Sequence, residues 1–263
     1  MNAPTLTSAV AAPAWPGEPA RIAARGTSRS SASALHVGGV TPFSASDYPG
    51  KLAAVVFVQG CPWRCAYCHN PQLQTRTGRG PLDWARVVAL LERRVGLIDA
   101  VVFSGGEPTV DPALEDAMCQ MRALGFGIGL HTAGAYPRRL AEVLPLVDWV
   151  GVDVKASFEH YRNITRVTNS GRRALASAEA VLASGVPHEF RTTVHPGLHP
   201  EHKVLALAHA LSAMGVQHYA LQVFRALGCA DERLSAMSTA GYLGADLIAR
   251  LSALFTTFAL RRE

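Results

Sequence analysis

VQGCPWRCAYCHNPQ, Val58 to Gln72, places three cysteines within eight residues. It follows the β-branched run Val55–Val58, and Gly60, Pro62, Trp63 and Arg64 make it read as a loop at the end of a strand. Cys61, Cys65 and Cys68 are spaced C-x3-C-x2-C, so one turn of chain can aim three sulfurs at a common centre. Three thiolates with no fourth cysteine nearby suit a 4Fe-4S cluster that leaves one iron open. A structural zinc site that recruits His69 as fourth ligand is the alternative, although such sites usually set two ligand pairs well apart. Apolar core thiols fit poorly in a loop of this composition. Cys119 and Cys229 stand apart, one on a segment with helical periodicity and one in a loop, and read as structural or free thiols.

Outward from this loop, short apolar runs alternate with amphipathic ones. Val55–Val58, Ala100–Phe103, Gly127–His131, Trp149–Val154, Glu189–Val194 and His218–Phe224 read as strands. Leu82–Leu97, Ala113–Leu124, Arg138–Leu146, Arg172–Ala183 and Glu201–Met214 carry apolar residues at three- and four-residue spacing and read as helices, with Pro81, Asp111 and Pro112 as start signals. Thr239 to Glu263 reads as a helix followed by a short strand or tail. Strands alternating with short crossovers predict a parallel α/β sheet, either an open doubly wound sheet or a full or partial barrel. In each of these the site lies at the carboxyl ends of the strands.

Composition bounds the rest. A chain of 263 residues that is 49% hydrophobic can bury one substantial core. Five unevenly placed cysteines do not make a disulfide framework and point to a reducing compartment, the cytoplasm. No apolar run reaches the roughly 18 residues of a membrane span, so a soluble protein is expected. The net charge of +5 is partly carried by Arg21, Arg25 and Arg29 near the N-terminus, which leaves no basic stripe of the kind a nucleic-acid binder shows. Residues 1–34 are rich in Ala, Pro, Ser and Arg and predict a disordered tail, with one domain over 35–263. Pro4, Pro13, Pro16 and Pro19 oppose the amphipathic helix of a transit peptide, so an extension of another kind is expected there.

The C-x3-C-x2-C spacing with Tyr67 before the last cysteine resembles the signature of radical S-adenosylmethionine (radical SAM) enzymes, and SGGEP, Ser104 to Pro108, stands where that family has its second motif. The resemblance covers most of residues 36–226 and implies a partial (β/α)6 barrel, an α/β fold of parallel strands with outer helices. It implies that Cys61, Cys65 and Cys68 hold the cluster and that its open iron takes the methionine end of S-adenosylmethionine. Ser104, Gly105, Gly106 and Glu107 would lie along the methionine amino group, the glycines letting the backbone approach the ligand. Tyr67 would pack near the adenine. DVK, Asp153 to Lys155, resembles the D-x-K of glycyl-radical-enzyme activases, although alone it reads as a surface ion pair. Thr132, in HTAG, and Asp153 would contribute to a monovalent-cation site. Arg191 and Gln222, near the ends of the fifth and sixth predicted strands, complete the expected cosubstrate-facing set. Arg225 stands where some pyruvate formate-lyase activases have a histidine against the cosubstrate, and His195 reads equally as a loop histidine or a ligand.

The lead-in GGVTPFSASDYPGK, Gly38 to Lys51, resembles that of the longer activating proteins of anaerobic ribonucleoside-triphosphate reductase. The implied chemistry is reductive cleavage of S-adenosylmethionine, using an electron from a flavodoxin- or ferredoxin-type donor. A 5′-deoxyadenosyl radical then takes a hydrogen atom from a glycine of the partner enzyme. The alternatives are an activase of another glycyl-radical enzyme, of the pyruvate formate-lyase type, or a small-molecule enzyme such as a 7-carboxy-7-deazaguanine synthase. A zinc-binding module without catalysis is a more distant one. Neither nucleic acid nor membrane is an expected partner.

Overall fold

The computed structural model describes residues 34–76, 78 and 80–262, so all but the last residue of the expected N-terminal tail lies outside the described residues. Its strands are β1 (Val37–Ser44), β2 (Ala53–Val58), β3 (Ala100–Gly105), β4 (Gly127–Thr132), β5 (Trp149–Asp153), β6 (His188–Val194), β7 (His218–Val223) and β8 (Thr257–Arg261). The helices are α1 (Trp84–Glu92), α2 (Leu114–Ala123), α3 (Pro137–Val143), α4 (Tyr161–Thr165), α5 (Ser170–Ser184), α6 (Glu201–Ala213), α7 (Glu232–Ala236) and α8 (Ala245–Ser252). All eight strands form one sheet in sequence order, β2 to β8 parallel and β1 antiparallel to β2. Among the described residues β1 and β8 do not pair, so the sheet curls into a partial barrel with an open side.

The six predicted strands are β2 to β7. The predicted helix Leu82–Leu97 is shorter at both ends: the Asp83 carboxylate caps the start by accepting from Ala85 N, and the chain turns at Gly96 with φ of 80°. Two elements had no strong local signal. VGGVTPFS is broken by glycines and a proline, which obscure a strand pattern, yet it pairs along β2 as an edge. The five-residue α4, entered through a 3-10 turn at Phe158–His160, is too short to show a period.

Alternation along each strand sorts side chains between two faces. Val56, Val58, Val101, Phe103, Ile128, Leu130, Val150, Val152 and Phe190 point outward into the main core shared with the helices. The inner face is apolar only at the amino ends of the strands, where Ala53, Val55, Ala100 and Val102 pack with Tyr48 and Phe57. The lead-in turn fills this end of the lumen: Ser44 Oγ accepts from Ser46 N and Asp47 N, and the Tyr48 ring stacks on Trp149 with centroids 5.3 Å apart. Toward the carboxyl ends the inner positions become Ser104, His131, Asp153, Arg191 and Thr193, which gives the barrel a polar floor. Among the described residues no helix is long and apolar enough to cross a membrane.

Phe103 is fully buried at the centre of the outer core. Phe103→Ala should lower stability by about 3–5 kcal/mol, read in urea unfolding as a lower midpoint with an unchanged slope. A shift within error would show that the helical layer does not depend on this strand as described.

Candidate active site at the carboxyl ends of the strands

The cysteine loop is held by its backbone. Gly60 N donates to Leu73 O at 2.8 Å and Cys61 N to Gln74 O at 3.1 Å, which folds the loop back on itself. Gly106 N donates to Val58 O at 3.0 Å and Glu107 N to Gly60 O at 2.8 Å, which joins the loop after β2 to the turn after β3. Trp63, 1% exposed, anchors the loop in the outer core with its ring edge against Tyr161, and Arg64 N donates to Thr165 O. The glycines of SGGEP therefore have a structural reason in addition to the one the sequence suggested. A β-carbon on Gly106 would lie 2.3 Å from Gly60 O, and one on Gly105 2.5 Å from Val58 N and O. They let the two loops touch.

Cys61, Cys65 and Cys68 line one cleft of about 140 Å³ together with Ser104, Gly105, Gly106, Tyr67, Thr132, Asp153 and Lys155. Burial pushes the Cys61 thiol up to about 12 and raises Cys65 as well, so neither is a thiolate unaided; a bound metal's positive charge would have to ionise them. Among the described residues no three His, Cys, Asp or Glu side chains converge on one point as a single metal ion requires. The His69 ring, the fourth ligand of the zinc alternative, stacks on Phe224 and its Nε2 lies 3.0 Å from Arg225 O.

Glu107 is 0% exposed, and its carboxylate accepts from the Thr109 hydroxyl (2.6 Å), the Thr132 hydroxyl (2.8 Å), Thr109 N (3.3 Å) and Ala133 N (2.9 Å). These bonds compensate a buried charge and tie the ends of β3 and β4 together. Glu107 is thus placed beneath the cleft as an anchor, and Thr132 at its wall.

The floor is an ion-pair network. Arg191 Nε donates to Asp153 Oδ1 at 3.0 Å, and Lys155 Nζ lies 3.9 Å from Asp153 Oδ2. Burial would raise the Asp153 carboxyl, but Arg191 and Lys155 outweigh it and hold it below its ordinary value. Lys155 is held charged in the same way: burial opposes the ammonium, Asp153 favours it, and the balance raises it. Its Nζ also sits 5.8 Å from the centre of the Tyr67 ring.

His131 was not singled out from sequence, because a histidine closing a strand has no pattern of its own. It lines the cleft between Asp47, Ser104 and Arg191. Two contacts compete for Nε2, Asp47 O at 2.8 Å and the donor-only Arg191 Nη1 at 3.3 Å; with Nε2–H donating to the nearer carbonyl, Nδ1 accepts from Ser104 Oγ at 3.3 Å and Arg191 is a close cation rather than a hydrogen-bond donor to the ring. Burial, then Arg191, lowers its pKa from 6.5 to about 4.

Other predicted residues fall outside the cleft. Gln222 pairs in register with Thr193, which lines the cleft, but is not itself in the lining. Arg225 is exposed at the rim. His195 is fully buried, bonded through Nε2 to Leu234 O and through Nδ1 to Gly197 N, and serves as a loop histidine. Cys119 lies on α2. Cys229, 163 residues from Ala66 in sequence, packs with its sulfur 3.6 Å from Ala66 O and so backs the cysteine loop.

Comparison with known proteins gives a match of residues 55–208 to the family model of the Radical SAM superfamily. A protein of Methanocaldococcus jannaschii, assigned but not demonstrated as a glycyl-radical enzyme activating enzyme, is 29% identical over 208 residues, 74% of this chain and 82% of that one. The pyruvate formate-lyase-activating enzyme of Clostridium pasteurianum is 33% identical over 58% of this chain and 65% of its own. A 7-carboxy-7-deazaguanine synthase of Methanopyrus kandleri is 31% identical over 41% and 51%. Among solved structures, Streptococcus suis SuiB bound to its precursor peptide SuiA superposes with a TM-score of 0.60 at 14% identity, covering 79% of this chain and 48% of SuiB, and this likeness concerns the fold.

The depressed His131 value has a signed consequence. The unfolded chain binds a proton at 6.5 and the folded chain at about 4, so the contribution of His131 is fully present above pH 6.5 and is lost as pH falls toward 4. His131→Gln should lose less stability than the parent across that window, measured by urea unfolding at stepped pH. Parallel curves would contradict the assignment.

Proposed function

The chain belongs to the radical SAM superfamily, and from that premise we propose that it activates a glycyl-radical enzyme, with anaerobic ribonucleoside-triphosphate reductase as the partner. The family implies a 4Fe-4S cluster and S-adenosylmethionine. The donor set fits the cluster: three soft thiols on one backbone-fixed loop, all lining the cleft. A zinc ion would need ligands converging on one point, which the described residues do not supply.

In this reading Cys61, Cys65 and Cys68 would hold the cluster, in the same cleft that Ser104, Gly105 and Gly106 line. When bound, cluster and cosubstrate together supply a one-electron cleavage of the C5′–S bond and a hydrogen-atom abstraction. The chain supplies position and exclusion of water. Ser104 and the two glycines offer backbone along the cosubstrate, Tyr67 an apolar wall, and Lys155 a fixed positive charge at the floor. Glu107 acts at one remove by fixing the turn.

The observation that carries the activase reading is the placement of this cleft at the mouth of an open barrel. With β1 and β8 not paired to each other among the described residues, a loop of a protein substrate would have a side from which to enter. The relatives support the same class, the one from Methanocaldococcus jannaschii over most of its length. A flavodoxin- or ferredoxin-type donor would provide the electron, and the five free cysteines suit the reducing cytoplasm.

Anaerobically reconstituted protein with S-adenosylmethionine, reductant and the reductase should give the doublet of a glycyl radical in electron paramagnetic resonance. 5′-Deoxyadenosine without the doublet would reject the partner and keep the chemistry. Replacing any of Cys61, Cys65 or Cys68 by Ala should abolish iron and sulfide retention, whereas Cys119→Ala should leave the cluster spectrum unchanged. Full cluster content in a variant of the first three would overturn the ligand assignment.

A further inference from the structure

The resemblance places a monovalent cation at Thr132 and Asp153, but the groups it would need are already engaged. Asp153 Oδ1 accepts from Arg191 Nε at 3.0 Å and Oδ2 faces Lys155 Nζ at 3.9 Å. The Thr132 hydroxyl donates to Glu107 and accepts from Gly134 N at 3.0 Å. The Glu107 carboxylate has four neutral donors of its own. The Asp153 carboxylate therefore lies between Arg191 and Lys155, and the Thr132 hydroxyl and the Glu107 carboxylate are committed to each other and to backbone N–H donors, so each oxygen a cation would use already faces a donor.

The sequence makes room for this arrangement. Asp153 and Arg191 are register partners on β5 and β6, so the pair forms straight across the sheet. The guanidinium then lies over Gly151, where a β-carbon would stand 2.8 Å from its Cζ and Nη2. Its far side meets His131, with Nη1 3.3 Å from Nε2. Arg191 is 6% exposed and does not line the cleft, so it positions Asp153 from beneath rather than touching a ligand.

We propose that the Arg191 guanidinium takes the place of the monovalent cation, so that this site binds S-adenosylmethionine without potassium or sodium. The inference rests on the radical SAM reading of the cleft but not on the identity of the partner enzyme. Arg191 is a positioning residue here, and its role should appear as a salt dependence that a merely structural residue would not control.

The test is anaerobic equilibrium dialysis of S-adenosylmethionine against the cluster-loaded protein in potassium, sodium or choline chloride at one ionic strength. The same affinity is expected in all three. A rise of about tenfold in potassium over choline would overturn the proposal. Arg191→Met should acquire a potassium requirement that Arg191→Lys does not show; if Arg191→Met fails to fold, the parent measurement decides alone. Thallium(I) resonance offers a second readout without the cosubstrate: saturable binding abolished by Asp153→Asn would contradict the inference. Failure to bind S-adenosylmethionine in every salt would instead reject the reading of the cleft on which it rests, and the inference with it.

Discussion

The site depends on two loops being able to touch. The segment after β2 carries the cysteines, the turn after β3 carries SGGEP, and the bond from Glu107 N to Gly60 O joins them with no room for a β-carbon at residue 106. Because β2 and β3 are neighbours in parallel register, with Val58 opposite Gly105, both loops leave the sheet at one level. The buried Glu107 carboxylate extends the same tie to β4 through Thr132 and Ala133. Three strand ends are thereby fixed by backbone and one anion, and the loop that carries the thiols is fixed with them.

Below them, the inner face changes character along its length. Small and apolar side chains at the amino ends of the strands close on Tyr48 and Trp149, while the carboxyl ends present Ser104, His131, Asp153 and Arg191. The lead-in turn connects these halves, since Asp47 offers its carbonyl to His131 and the next residue, Tyr48, fills the lumen. Charge within the floor is arranged so that arginine and lysine hold the one cleft-facing aspartate ionised, and the histidine beside the arginine stays neutral. An environment of that kind holds fixed charges beneath the cleft, which suits the radical chemistry of the superfamily.

Much of this was legible in the residues. β-branched runs and three- and four-residue periods located six strands and five helices, and the cysteine spacing located the site before any fold was known. Features built from distant pairings were not legible. The antiparallel β1 is interrupted by Gly38, Gly39 and Pro42, and its strand character comes from pairing with β2. The Asp153–Arg191 pair spans 38 residues and is set by register, and the Cys229 contact with the cysteine loop spans 163. The burial of Glu107 and the direction of its four hydrogen bonds were not legible either, because sequence gives order along the chain and these belong to the assembled loops.

The central claim is that Cys61, Cys65 and Cys68 hold a cluster with one iron open to the cosubstrate. Mössbauer spectroscopy of anaerobically reconstituted, iron-labelled protein tests it most directly. The account predicts equal iron and sulfide, with one iron site changing its isomer shift when S-adenosylmethionine is added. Zinc without sulfide, or a cluster whose irons are all indifferent to S-adenosylmethionine, would contradict it.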